Sequence, residues 1–112
     1  MKLTTTTKDE ITIIRIEGQL DGNTSTDAQN QIIPMLNENS RIVIDMGGCE
    51  YVSSSGLRVL MMIGKHLTKL GGKGVLARLS DEVNDVMEMT GFSNIFSNYP
   101  QLDDAIAAVK TE

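Results

Sequence analysis

The alternation of apolar and polar positions opens with two β-branched runs, Thr4 to Thr7 and Ile11 to Ile16, separated by the polar tripeptide Lys8-Asp9-Glu10. That pattern predicts a hairpin with a short loop, and Gly18 is expected to break its second strand. Asn23-Thr24 then offers an N-cap ahead of Asp27, and Ala28, Ile32, Met35 and Leu36 recur at helical spacing, which predicts a first helix. Pro34 falls inside it. Its ring meets the carbonyl of Asn30 at a cost of about 3 kcal/mol in a regular helix, so a kink or early break near Asn30 is expected.

Arg41 to Met46 (RIVIDM) is a short apolar run rich in β-branched residues, as in a strand buried on both faces of an α/β sheet. It predicts the central strand, with Gly47-Gly48 ending it. After Tyr51-Val52, the cluster Ser53-Ser54-Ser55-Gly56 precedes Leu57, Leu60, Met61, Gly64 and Leu67 at helical spacing, so a second helix starts near Ser54 and stops at Gly71-Gly72. Gly74 to Leu79 reads as a strand, and Ser80 caps a third helix carrying Val83, Val86 and Met87 before Gly91. Ile95-Phe96 reads as a last short strand. Beyond Pro100, Leu102, Ala105, Ile106 and Val109 mark a C-terminal helix. The order β-β-α-β-α-β-α-β-α belongs to the α/β class, with a mixed sheet of about four to five strands and about four helices.

Length and composition narrow what such a fold can do. With 112 residues, 40% of them hydrophobic, the chain has material for one core, and a single domain over residues 1–112 is expected. Two Tyr, two Phe and no Trp leave few ring surfaces for stacking sugars or bases. Ten Lys and Arg against fifteen Asp and Glu give a net charge of -5, which argues against a phosphate backbone as partner. No nucleic-acid partner is expected. Cys49 has no second cysteine to pair with, and one Cys with one His cannot make a structural zinc site, so neither metal nor cofactor is expected. The N-terminus has no apolar signal region, and no stretch approaches the ~18 apolar residues of a membrane span. A soluble protein of the reducing cytoplasm fits these features.

The serine cluster is the candidate for chemistry, since a serine at a strand-to-helix junction is exposed at the positive end of the helix dipole. As a nucleophile it would need a base. His66, the single histidine, lies about 18 Å along the same helix from Ser54 at 1.5 Å per residue, which excludes a Ser-His pair. Neither the G-x-S-x-G elbow nor a phosphate-binding loop with its lysine is present. Read on spacing alone, Ser53 to Ser55 cap the second helix; Cys49 is a small buried thiol and His66 a surface imidazole. On a helical wheel, Leu57, Leu60, Ile63, Gly64, Leu67 and Gly71 share one arc, and Arg58, Met62, Lys65, His66 and Lys69 the opposite one. Met62 beside Arg58 on the outer arc, near the serines, suggests a docking surface.

Ile42-Val43-Ile44-Asp45-Met46, a short spacer, then Tyr51-Val52-Ser53-Ser54-Ser55-Gly56-Leu57 resembles the signature of the STAS domain, in particular of bacterial anti-sigma factor antagonists. The resemblance extends through Gly18-Gln19-Leu20-Asp21, the Gly72 to Val75 stretch and Gly91-Phe92. It implies a binding module and no enzyme, one that sequesters an anti-sigma factor that is also a serine kinase and so frees a sigma factor, switching partners to regulate transcription. Phosphorylation at the helix start ends the binding, with a serine phosphatase to reverse it. The family's D-S-[ST]-G-L falls on Ser53-Ser54-Ser55-Gly56-Leu57, which makes Ser54 the implied phosphoacceptor. Ser53 departs from the pattern, since an acid is common there, and leaves Ser53 and Ser55 as other acceptors.

If the second and third strands run parallel, the Gly18 to Thr24 loop and the serine cluster open on one edge and bring Asp21 towards Ser54. The expected docking surface is then Asp21, Ser53, Ser55, Gly56, Leu57, Arg58 and Met62. One rival keeps the fold and makes the chain an unphosphorylated STAS subunit of a transporter or a larger signalling assembly. A second is a small enzyme using Ser54 with Asp21 and Asp45.

Overall fold

The computed structural model describes residues 1–91 and 96–110. Strands β1 (Lys2–Lys8) and β2 (Ile11–Leu20) form the predicted hairpin. Lys8 pairs with Ile11, so the loop is Asp9-Glu10 alone. Both take positive φ, +52° and +68°, matching the twist of a two-residue hairpin. Gly18 does not break β2. The strand runs on to Leu20, and the β2–β3 ladder instead slips register twice, between Arg15 and Glu17 and between Gly18 and Gln19. Each slip admits one additional residue of the partner strand, so pairing continues.

Helix α1 (Ser25–Ile32) runs two residues past the expected break at Asn30. The Ile33 amide still reaches the Gln29 carbonyl, so Pro34's missing N–H ends the regular helix only after Ile32. Pro34 then sits in the first positions of a single 3-10 turn, Ile33–Met35, where no amide is required. Strand β3 (Arg41–Val52) likewise outlasts Gly47-Gly48, its expected end. The glycines make room for side chains crossing the strand: a Cβ on Gly47 would stand 2.7 Å from the Arg78 guanidinium, and one on Gly48 2.8 Å from Glu17.

Helix α2 (Ser54–Leu70) starts and stops where predicted, with Gly71 at its C-cap. Strand β4 (Lys73–Ala77) ends short of Leu79 because Arg78 turns to φ +57°. Helix α3 (Asp81–Met89) is capped by Ser80, whose Oγ accepts from the Val83 amide at 3.2 Å. The last strand, β5, is Ser97–Tyr99 rather than Ile95-Phe96; Phe96 is buried in the core, and Ile95 and Phe92 lie outside the described residues. Helix α4 (Leu102–Lys110) follows.

The sheet order is β1-β2-β3-β4-β5, with β1 antiparallel to β2 and the other neighbours parallel. The expected central strand is central. Successive parallel neighbours joined by right-handed crossovers place α1, α2 and α3 on one face. There Ala28, Ile32, Leu60, Ile63, Leu67 and Met87 pack with Ile14, Ile44 and Leu76. Helix α4 covers the other face, where Ala105 and Val109 meet Ile11, Val43, Val75 and Ala77.

Candidate functional site

Because β2 and β3 are parallel, both leave the sheet at the same edge, and the exits are tied together. The Ser53 amide donates to the Leu20 carbonyl at 2.9 Å. Ser53 then caps α2: its backbone is extended, and its Oγ accepts from the Gly56 amide at 3.2 Å. Gly56 is buried beneath the junction, against the Leu20 carbonyl and the Leu20 and Val52 side chains. Ser54 is exposed, with no hydrogen-bond partner for its hydroxyl among the described residues, and Ser55 is half-buried.

Asp21, one residue past Leu20, shapes the facing loop. Its Oδ1 accepts from the amides of Asn23 at 2.9 Å and Thr24 at 3.2 Å, an Asx-type closure. Thr24 stands at the N-cap of α1 without capping it through its side chain; its hydroxyl donates to the Gln19 carbonyl at 2.8 Å and accepts from the Asp21 amide at 2.9 Å. Asp21 and Ser54 thus flank the hydrogen-bonded Leu20–Ser53 pair.

Along α2, Arg58, Met62, Lys65 and Lys69 are exposed as the wheel predicts, and Leu60, Ile63, Gly64 and Leu67 are buried. The inner arc also holds Val59. Gly71 is exposed at the C-cap, and His66 is half-buried. Leu57 is half-buried rather than in the core and borders two surface hollows, one shared with Ser54, Arg58, Met61 and Thr90, the other with Tyr51 and Val86.

One polar cluster escaped the sequence patterns. Asp45 is 2% exposed. It accepts from Arg78 Nε at 2.9 Å and Nη2 at 2.5 Å, from Arg15 Nη1 at 3.1 Å and from the Gly47 amide at 3.0 Å. Burial pushes its carboxyl up, but the hydrogen bonds from Arg78 and Gly47 and the charges of Arg78 and Arg15 outweigh it and hold the group below its ordinary value. The only signal available was an acid inside a buried strand, which requires a cation. Alternation puts Asp45 with Val43 on the α4 face of the sheet, away from α2. Asp45 is bound by two arginines there and Asp21 by its own loop, so neither is assembled with Ser54 as a catalytic base.

A family model, the STAS domain, matches residues 2–105. The chain belongs to the STAS domain family. This STAS domain is 32% identical over 112 residues to a Bordetella bronchiseptica protein, BtrV, named as an anti-sigma factor antagonist; the match spans 99% of this chain and 97% of that one. Its fold is shared with a Thermotoga maritima protein described as an anti-sigma factor antagonist, with a TM-score of 0.89 at 18% identity, covering 97% of this chain and 95% of the other. It is also shared with the anti-sigma factor antagonist SpoIIAA in its unphosphorylated form, with a TM-score of 0.78 at 18% identity, covering 97% and 96%. SpoIIAA, a Bacillus cell fate determinant, is also known in a phosphorylated form, at a TM-score of 0.71 and 18% identity, covering 96% and 99%. No helix among the described residues is long and apolar enough to cross a membrane.

Proposed function

We propose that residues 1–112 work as one STAS domain, a cytoplasmic anti-sigma factor antagonist switched at Ser54. Unphosphorylated, it docks on an anti-sigma factor that is also a serine kinase and frees a sigma factor; phosphorylated, it lets go until a serine phosphatase restores it. The supporting observation is the division of labour among the three serines. Ser53 commits its Oγ to the Gly56 amide and Ser55 is half-buried, whereas Ser54 offers an exposed, unengaged hydroxyl.

A phosphate on Ser54 adds about -1.5 to -2 charge at the positive end of α2, where it is tolerated without unfolding the helix. The fold stays and the surface changes. The docking surface is Asp21, Ser53, Ser55, Gly56, Leu57, Arg58 and Met62, with buried Gly56 acting through the shape of the junction. A partner presenting carboxylates or apolar groups at Ser54 is then repelled by the added charge and its desolvation.

The test is capture of protein partners on the immobilised domain, then incubation of the domain with ATP and the captured anti-sigma factor kinase, followed by mass spectrometry and calorimetry. Phosphate is expected on Ser54, and Ser54→Asp should bind the kinase more weakly than wild type at unchanged thermal stability. Phosphate on Ser53 or Ser55, or equal affinity of Ser54→Asp, would overturn the assignment. Capture of a membrane transporter instead of a kinase would favour the transporter-subunit role.

A further inference from the structure

On the α3 side of Leu57 the surface dips into a cleft of about 110 Å³ where the end of β3, the first turn of α2 and α3 meet. Leu57, Val83 and Val86 form its apolar walls with Tyr51, and Glu50 and Glu82 stand at the same cleft. Tyr51 is 53% exposed and Val86 41% exposed, so both present apolar surface to solvent at the cleft. Neither Glu50 nor Glu82 has a hydrogen-bond or ion-pair partner among the described residues. The surroundings strengthen the negative field, since α3 carries Asp81, Glu82, Asp85 and Glu88 and no basic residue.

We propose that this cleft seats a single arginine side chain presented by the protein partner. The proposal rests on the docking function above and names the chemistry of one anchor in it. A volume a few times the ~30 Å³ share of one water molecule admits one side chain and no helix. An apolar anchor would take water from two carboxylates and leave them unpaired. An arginine satisfies both parts of the cleft. Its stem lies along Leu57 and Val86, its planar guanidinium stacks on Tyr51, and its five donors serve Glu50 and Glu82. Lysine, a point charge with three donors, cannot span two carboxylates and a ring in the same way.

The cleft is also compatible with the switch. Ser54 lies in the other hollow bordered by Leu57, with Arg58, Met61 and Thr90, so the phosphate acts on a different part of the partner. Acidic helix and acidic cleft steer a basic partner segment to the site.

The test uses the full chain and N-acetyl-arginine methylamide as probe, with N-acetyl-leucine methylamide as control, read by methyl NMR. The arginine derivative should shift the Leu57, Val83 and Val86 methyls saturably in the wild type and not in a Glu50→Gln/Glu82→Gln variant. The leucine derivative should leave them in place. Against the anti-sigma factor kinase, the double variant should bind about tenfold more weakly, the size of a well-formed anchor. Methyls unmoved by the arginine derivative, equal shifts with leucine, or unchanged kinase affinity of the double variant would each overturn the proposal. A wild type that takes up the arginine derivative but binds no anti-sigma factor would remove the proposed function and leave the cleft's ligand chemistry standing.

Discussion

A Cβ on Gly56 would collide with the carbonyl oxygen of Leu20. The first turn of α2 therefore rests directly on the exit of β2, and the same carbonyl holds the Ser53 amide. Gly56→Ala has no flexible neighbour to displace, because the obstacle is backbone. We expect a loss of about 1–3 kcal/mol, as for overpacked interiors, read as a lowered urea midpoint. An unchanged midpoint would mean that the two elements do not meet this closely.

Adjacent serines should separate cleanly in their effects. Ser53→Ala removes the oxygen that accepts from the Gly56 amide and should cost about 0.5–2 kcal/mol, the range for lost N-caps. Ser54→Ala removes an exposed hydroxyl and should leave the unfolding curve unchanged within about 0.5 kcal/mol. Denaturation of the two variants side by side checks this, and a larger loss from Ser54→Ala would place the cap one residue later.

Element order was legible in the sequence because each element carries a local signal. The β-branched runs, the Ser53 and Ser80 caps and the Gly71 stop all act within a few residues of where they appear. What was not legible depends on partners distant in the chain. Gly47-Gly48 looked like a strand end because nothing nearby shows that Arg78, about thirty residues on, lies across the first of them. The Asp45 cluster was hidden for the same reason, its arginines standing 30 and 33 positions away. The helical wheel found the Arg58 and Met62 face of α2, but could not show that α3 turns Leu57 into the shared wall of two hollows.

The Asp45 cluster sets an acid limit on stability. Its folded pKa lies below the ordinary carboxylate value of 3.8. Its stabilisation is therefore fully present above the unfolded value and is lost as pH falls through the folded one. Asp45→Asn should be less stable than wild type at neutral pH and should approach it in acid below the ordinary value. Urea midpoints taken from neutral pH down through this range test it. A constant gap between the two proteins would mean that Asp45 keeps the same pKa on unfolding.

Two charge reversals distinguish the faces of the molecule. Arg58 is exposed one turn beyond Ser54 and borders a hollow with Ser54, Leu57, Met61 and Thr90. If that end of the sheet docks the anti-sigma factor, Arg58→Glu brings a negative charge into the contact. The penalty should appear in the association rate and its salt dependence, as for charges at an interface rim. Stability should change by under about 0.5 kcal/mol, because the side chain faces solvent. Lys110, on α4 across the sheet, makes an exposed pair with Asp9 at 3.6 Å, and such pairs contribute little. Lys110→Glu should therefore bind as wild type does, which controls for the change in net charge. Equal weakening by both reversals would reveal long-range steering without a localised contact. Chemical-shift mapping of this domain with the partner bound decides more directly. Shifts concentrated on Ala105 to Lys110 and absent from Ser53 to Met62 would move the docking surface to α4, and a phosphate at Ser54 would then have no contact to break.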